Sequence, residues 1–189
     1  MKDDLLDLML KRRSIRKYTN IPIPENIINN IMNKALTAPC SFGHRPCEFV
    51  VVKNKDLIKK LAECKSLGGS QIIGADTVIV VIVNLKQGEF WIEDGAIAST
   101  YILLAAEQYD IGACWVQIRN RNGKKKTSSE EIRELLNIPN GYEVLNLIAL
   151  GNKGENKRAY ELNDYDKNKI HYESYWLLNF MHTHVRLRY

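Results

Sequence analysis

The chain of 189 residues is 45% hydrophobic, 26% charged and 8% aromatic, and 27 basic against 22 acidic residues leave a net charge of +5. A chain of this length is expected to form one domain and to bury roughly 70% of its unfolded surface, and its apolar fraction excludes a disordered protein. Four cysteines, at 40, 47, 64 and 114, make no CxxC pair and no metal-ligand spacing with histidine, which excludes a disulfide scaffold and predicts no metal site. The longest apolar run, Thr77 to Leu85, is far below the ~20 residues that span a bilayer, so no membrane association is expected. The opening MKDDLLDLML places two acids before a short apolar run, unlike a signal peptide, and a cytoplasmic protein with reduced thiols is the expectation.

In chain order, Leu5, Leu6, Leu8, Met9 and Leu10 predict a short helix that runs into the basic cluster Lys11 to Lys17. Pro22 and Pro24 mark an extended entry to a helix from Glu25 to Leu36, whose apolar face carries Ile27, Ile28, Ile31, Met32 and Ala35. A loop from Thr37 to Cys47 follows, then a strand at Phe49 to Val52 and a helix from Lys55 to Cys64. Thr77 to Asn84 is a β-branched run of the kind found in central strands. Ile92 to Tyr109 reads as a long helix, apolar on nearly all faces, for which a second subunit is an expected source of cover. Strands at Ala113 to Ile118 and Val144 to Leu150 enclose a helix from Ser129 to Leu136, and Gly123 with Lys124, Lys125 and Lys126 forms a solvated turn. Four strands and five helices predict a mixed α+β protein.

Four segments offer groups suited to chemistry. Arg12-Arg13-Ser14-Ile15-Arg16 ends a helix, where guanidinium forks and a hydroxyl match phosphate oxygens; a solvated helix end favoured by the macrodipole has the same pattern. Ala38 to Cys47 is a rigid loop able to present backbone groups to a flat polar ligand, or a plain connection. Gly112 to Arg119 follows the long helix as a strand with an aromatic plug, and Gly151 to Arg158 is a turn rich in cations. The cations are too scattered, and the net charge too small, for a nucleic-acid surface.

In their order and spacing these segments resemble the FMN-dependent nitroreductase family. Arg12-Arg13-Ser14-Ile15-Arg16-Lys17-Tyr18 resembles R-R-S-x-R-x-[FY]; Ala38-Pro39-Cys40-Ser41 with Pro46-Cys47-Glu48-Phe49 resembles A-P-S-x-x-N-x-Q-P-W-x-F. Asp94 through Trp115 resembles the family's central helix and following strand, and Leu150 to Glu155 resembles its G-x-x-x-E turn. The resemblance spans roughly Leu5 to Tyr175. It implies an α+β sandwich with a central, mainly antiparallel sheet flanked by helices, one nitroreductase-like domain over 1–189 with a core of 5–175 and an extension of 176–189, and an intertwined homodimer with FMN at the interface.

The same resemblance assigns FMN phosphate and ribityl to Arg12 and Ser14 with Arg13 nearby, and the N1/O2 edge of the flavin to Arg16, which would stabilise the reduced ring. Pro39, Cys40, Ser41 and Gly43 would reach the ring and ribityl from the partner subunit; Trp115, Val116, Gln117, Ile118 and Gly151 would flank the ring, and Lys157 or Arg158 would complete the phosphate clamp. Gln117 and Arg119 are the candidates for the substrate face. Gly43, Arg45 and Cys47 stand where the family has Asn, Gln and Trp, and Arg45 is a candidate replacement donor; Tyr101 stands where the helix has Asn. The implied activity is electron transfer from NADH or NADPH through FMN to flat electron-poor small molecules such as nitroaromatics or quinones, by a ping-pong hydride mechanism with no side chain acting as base. The alternative is a flavin protein of the same fold with another role: dehalogenation, flavin fragmentation or redox sensing. The C-terminal segment from Tyr175 adds His182 and His184, too few ligands for a metal.

Overall fold

In the computed structural model, which describes residues 4–175, the chain runs α1 (Asp4–Lys11), α2 (Glu25–Ala35), β1 (Cys47–Val52), α3 (Lys55–Glu63), β2 (Thr77–Asn84), α4 (Trp91–Gln108), β3 (Ile111–Gln117), α5 (Ser128–Leu136) and β4 (Tyr142–Asn152). Local chemistry sets several of the ends. Asn54 caps α3 by accepting from the Leu57 N–H, and Thr127 and Glu130 form a reciprocal capping box on α5. Asn137 then stops α5 in the left-handed region at φ 54°.

The strands form one sheet in the order β1-β2-β4-β3, antiparallel throughout. The expected α+β class holds, and the mixed character of the sheet reduces to a single parallel bridge between Ser14 and Ala113. Since β2 and β3 both pair antiparallel with β4, they run parallel to each other, so α4 must cross the sheet from one end to the other. Two layers of helix cover it. Val78, Val80 and Ile82 of β2 point into a core shared with α3 and α5, while Ile79 and Val81 point into one shared with α2 and α4. Being buried on both faces, β2 reads as an unbroken apolar run.

The register shifts between Val81 and Ile82, where Leu145 is the extra residue of β4. The bulge explains why Val144 and Leu147, of opposite parity, share one face. The buried Asn146 keeps the parity of Ile148 and Leu150 and so faces α4, where its amide donates to Ser99 Oγ at 2.8 Å. Small residues line the sheet side of α4: Gly95, Ala98, Ser99, Ala105 and Ala106 are all buried. A Cβ on Gly95 would sit 2.7 Å from Leu145 Cδ2, so this glycine sets how closely the helix lies. The other side of α4 keeps Ile97 and Tyr101 exposed, and α1, which rests on α4, exposes Leu5 and Met9.

The chain divides into two compact units, the first ending at Ala159. In the second, the described residues carry short 3-10 turns at Leu162–Asp164 and Lys167–Lys169, and the Tyr160 and Tyr165 rings lie 5.7 Å apart. His182, His184 and the extension 176–189 lie outside the described residues. Among those described, no helix is long and apolar enough to cross a membrane, and no cluster of three or more His, Cys, Asp or Glu is set to hold a metal.

Ile148 is fully buried in the α2–α4 layer at the centre of β4. Truncating it leaves a cavity in a rigid sheet, so Ile148→Ala is expected to lower unfolding stability by about 3 kcal/mol, read as a lower urea midpoint at unchanged slope.

Candidate functional site

The basic segment is held in place by backbone pairing. After α1 the chain passes along the outer side of β3 and the end of β4: the Ile15 N–H donates to the Ala113 carbonyl at 3.0 Å, the Thr19 N–H to the Asn152 carbonyl at 2.9 Å, and the Gly154 N–H to the Lys17 carbonyl at 2.9 Å. Ile15 is buried between them, so Arg12, Ser14 and Arg16 fall around an apolar anchor. Two glycines permit the approach. A Cβ on Gly151 would lie 2.7 Å from the Tyr18 ring, and one on Gly154 would lie 2.8 Å from the Tyr18 backbone. The Tyr18 hydroxyl donates to the Ile15 carbonyl at 2.6 Å, and burial pushes its phenol well above the usual range.

A second set of contacts comes from the turn after β4. Glu155 Oε1 accepts from the backbone N–H groups of Arg16, at 2.6 Å, and Lys17, at 3.3 Å. Lys157 donates to the Ser14 carbonyl at 2.6 Å and pairs with Glu155 at 3.4 Å. Arg13 donates to the Arg158 carbonyl. These backbone donations, with help from Lys157, hold the Glu155 carboxyl below the ordinary carboxylate range. Gln71 Oε1 accepts from Arg16 Nε at 3.3 Å and leaves the rest of the guanidinium fork for other acceptors. Burial raises the Cys114 thiol in the middle of β3, and the nearby charges of Arg16, Lys157 and Arg12 oppose that rise while Glu155 adds to it. Arg12 and Ser14 also line a cleft of about 490 Å³ against Leu103 and Leu104 of α4. Lys153 is turned away, paired with Glu107 at 2.8 Å and Asp110 at 2.7 Å, and Lys124 and Lys126 pair with Glu63 and Glu134.

The loop from Thr37 to Cys47 lies elsewhere. It enters β1, which is the opposite edge of the sheet from β3, and docks on the start of α4. Asp94 Oδ1 accepts from the Ser41 N–H at 2.8 Å and from its hydroxyl at 3.1 Å. Phe42, Gly43 and Arg45 all take positive φ, at 53°, 73° and 50°, and the Arg45 N–H donates to Cys40 Sγ at 3.1 Å. Of the predicted site residues, the structure brings Arg12, Arg13, Ser14, Arg16, Gly151, Lys157 and Arg158 together around the basic segment. Pro39, Cys40, Ser41, Gly43 and Arg45 form a separate group.

On β3 the predictions divide by side chain. Val116 and Ile118 are buried in the core beneath α3 and α5, so only their backbone is open to a ligand. Trp115 Nε1 donates to Gln117 Oε1 at 2.9 Å, and Gln117 Nε2 donates to the Arg119 carbonyl at 3.1 Å, which ties the Gln117 amide at both ends. β3 is an edge strand, and the Ala113 carbonyl already points outward to Ile15. By the two-residue alternation of antiparallel pairing, the backbone groups of Trp115 and Gln117 face the same open edge. Arg119 lies over the Trp91 ring, 5.7 Å from its centroid, in another cleft shared with Arg133 and Glu143.

Three residues with a structural claim on the site escaped the residue-level reading. Glu155 belonged to a matched turn but nothing in its spacing showed that it reaches back 139 positions. Gln71, in an isolated turn, carried no local signal, and Asp94 opened the matched helix segment, but nothing in that match showed that it holds the loop at Ser41. Because the pKa of Glu155 is lowered in the folded chain, its contribution is complete above the ordinary carboxylate range and lost as pH falls through the lowered value. Amide exchange at Arg16 and Lys17 is therefore expected to be protected at neutral pH and to lose that protection only as pH falls below the ordinary carboxylate range. In Glu155→Gln the protection should be weaker and insensitive to acid over the same range.

The nitroreductase family model matches residues 9–69 and 65–152, nearly the whole of the first unit. A protein of Methanothermobacter thermautotrophicus named "Putative NADH dehydrogenase/NAD(P)H nitroreductase" is 33% identical over 177 residues, covering 92% of this chain and 89% of that one. The solved structure of an FMN-dependent nitroreductase from Clostridium difficile superposes with a TM-score of 0.87 at 37% identity, covering 89% of this chain and 99% of that one. Iodotyrosine deiodinase 1 of Rattus norvegicus is 40% identical over 60 residues, 32% of this chain and 21% of that protein. The pairing of an arginine-rich segment with a glycine-lined sheet end thus sits on a shared framework, and the chain belongs to the nitroreductase family of oxidoreductases.

Proposed function

We propose that the protein binds FMN along the basic segment and passes electrons from NADH or NADPH to flat, electron-poor small molecules such as nitroaromatics or quinones. The observation that carries this reading is the docking of the Arg12–Arg16 segment along β3, with Lys157 donating to the Ser14 carbonyl and pairing with Glu155 beside it. Guanidinium forks and an ammonium suit phosphate oxygens, and the Ser14 hydroxyl sits on the same segment. FMN, when bound, supplies hydride uptake and delivery at its N5.

The chain's own residues then have positional and electrostatic tasks. Arg12 and Lys157 hold the phosphate, with Arg13 and Arg158 behind them, and Ser14 orients the ribityl chain. Arg16, steadied at Nε by Gln71, supplies positive charge on the N1/O2 side, where preorganised charge stabilises electron density. The open backbone groups of Trp115 and Gln117 provide donors and acceptors for the ring edge. No side chain acts as a base, and one open face serves donor and acceptor in turn, a ping-pong scheme.

The site is completed by a second copy. The loop bearing Pro39, Cys40, Ser41, Gly43 and Arg45 lies at the β1 edge, across the sheet from Arg12, so one chain does not bring both halves together. Ile97 and Tyr101 of α4 are each 36% exposed, and Tyr101 shares a cleft with the exposed Leu5 and Met9 of α1, an apolar face suited to a homodimer. A cytoplasmic, reducing location fits the four free thiols. A second reading, reductive dehalogenation on the same framework, is favoured by the 40% identity to iodotyrosine deiodinase 1 over 60 residues.

The deciding experiment is a visible spectrum of purified protein before and after anaerobic NADH or NADPH. Flavin absorption near ~450 nm that bleaches on addition supports the reading; protein that is colourless and takes up no added FMN overturns it. Steady turnover with a quinone or nitroaromatic, against turnover only with a halogenated phenol, separates the two reactions. Arg12→Ala is expected to weaken FMN retention by at least about 10-fold, the loss of a charged hydrogen bond, while Lys125→Ala leaves it unchanged. Equal FMN occupancy of the two variants after dialysis would refute the phosphate assignment.

A further inference from the structure

Gln71 meets the basic segment with one end of its amide only. Its Oε1 accepts from Arg16 Nε at 3.3 Å, while its Nε2 stands against the bare side of Gly68, 3.4 Å from where a Cβ would lie. Lys65 Nζ stands on the same side, 3.1 Å from that point. Gly68 is exposed and takes φ +77°, so both nitrogens border a stretch of backbone that carries no side chain and is open to solvent. Lys65 is fixed there by donating to the Leu67 carbonyl at 2.6 Å. The next residue, Ser66, donates to the Asn122 carbonyl through its N–H at 3.0 Å and its hydroxyl at 2.8 Å, which draws Arg121 toward Lys65. Burial and the charge of Arg121 lower the Lys65 ammonium, and no carboxylate offsets them. Lys124, close by in sequence, has Glu63 as its partner; Lys65 and Arg121 have no acid among the described residues.

Two like charges held together by backbone contacts, with no acid between them, form a site for an anion. An ammonium, a guanidinium fork and an amide N–H suit phosphate oxygens, and a bare glycine lets a phosphate come close to the main chain. The phosphate of FMN is already assigned to Arg12 and Lys157, whereas Gln71 lies at Arg16, on the N1/O2 side of the ring. The other phosphate-bearing molecule in the proposed reaction is the nicotinamide dinucleotide. We propose that Lys65, Arg121 and the Gln71 amide hold a phosphate of NADH or NADPH while its nicotinamide lies on the flavin. The cluster is a property of the fold; the choice of ligand rests on the flavin reading above. One amide then serves both molecules, steadying Arg16 through its oxygen and meeting the dinucleotide through its nitrogen.

The test is calorimetric titration of the FMN-loaded full chain with NAD+ and NADP+, the oxidised forms that cannot reduce the flavin. Lys65→Gln keeps a donor for the Leu67 carbonyl and removes the charge. It is expected to weaken dinucleotide binding at least about 10-fold, the loss of a charged hydrogen bond, and to retain FMN on dialysis as the parent does. Arg121→Ala, an exposed change outside that contact, should weaken the same ligand, and Lys125→Ala neither. Weakening of NADP+ alone assigns the site to the 2′-phosphate; weakening of both dinucleotides assigns it to the pyrophosphate. Absence of dinucleotide binding to the loaded parent, or affinities unchanged in both variants, overturns the proposal. So does loss of FMN from Lys65→Gln, which would give the cations to the flavin. Parent protein that takes up no FMN is a separate result: it overturns the flavin reading, and the choice of ligand falls with it.

Discussion

The docking of the segment after α1 onto the exposed edge of β3 is the constraint on which the rest depends. An edge strand presents unpaired backbone groups, and here the Ile15 N–H takes up the Ala113 carbonyl of β3, while Thr19 and Lys17 tie the segment to Asn152 at the end of β4 and to Gly154 in the turn after it. That pairing converts a string of cations, which in isolation would be a solvated helix end, into a fixed array. What fixes the segment is not the arginine side chains. It is held by main-chain hydrogen bonds, one buried isoleucine and a carboxylate, Glu155, that accepts from two successive N–H groups. Such an arrangement orders donors before any ligand arrives, which removes part of the entropic cost of binding.

Charge balance explains why the array stays available. Lys153, Lys124 and Lys126 sit in acid pairs that brace α4, α3 and α5. Around the basic segment the acid is Glu155, and its carboxylate is spent largely on backbone N–H groups. Opposite charge thus positions the segment through its backbone N–H groups rather than through its guanidinium groups. Gln71 works the same way on Arg16, binding one nitrogen of the fork.

The sheet order carries the second consequence. With β1 and β3 at opposite edges, the loop before β1 and the segment along β3 are separated by two strands. In the proposed site a flat cofactor that uses both would need two chains; α4 itself turns small residues inward and leaves Ile97 and Tyr101 exposed. The left-handed residues Phe42, Gly43 and Arg45 hold the loop in a strained shape that Ser41 and Asp94 support.

Periodicity in the sequence was enough to determine the number and kind of the elements, because apolar repeats of two and of about 3.6 residues report which faces meet a core. It placed β2 at the centre and α4 as the most buried helix for the same reason. The strands came out longer than the apolar runs indicated: β4 spans Tyr142–Asn152 rather than Val144 to Leu150, since backbone pairing extends through polar residues and through Gly151. The order of motifs exposed the family and hence the arginines. Tertiary structure alone decided the rest: that Val116 and Ile118 point inward, that Glu155 and Gln71 serve the basic segment, and that Asp94 holds the loop at Ser41. Each of these depends on contacts between residues far apart in the chain, and local pattern carries no record of such contacts.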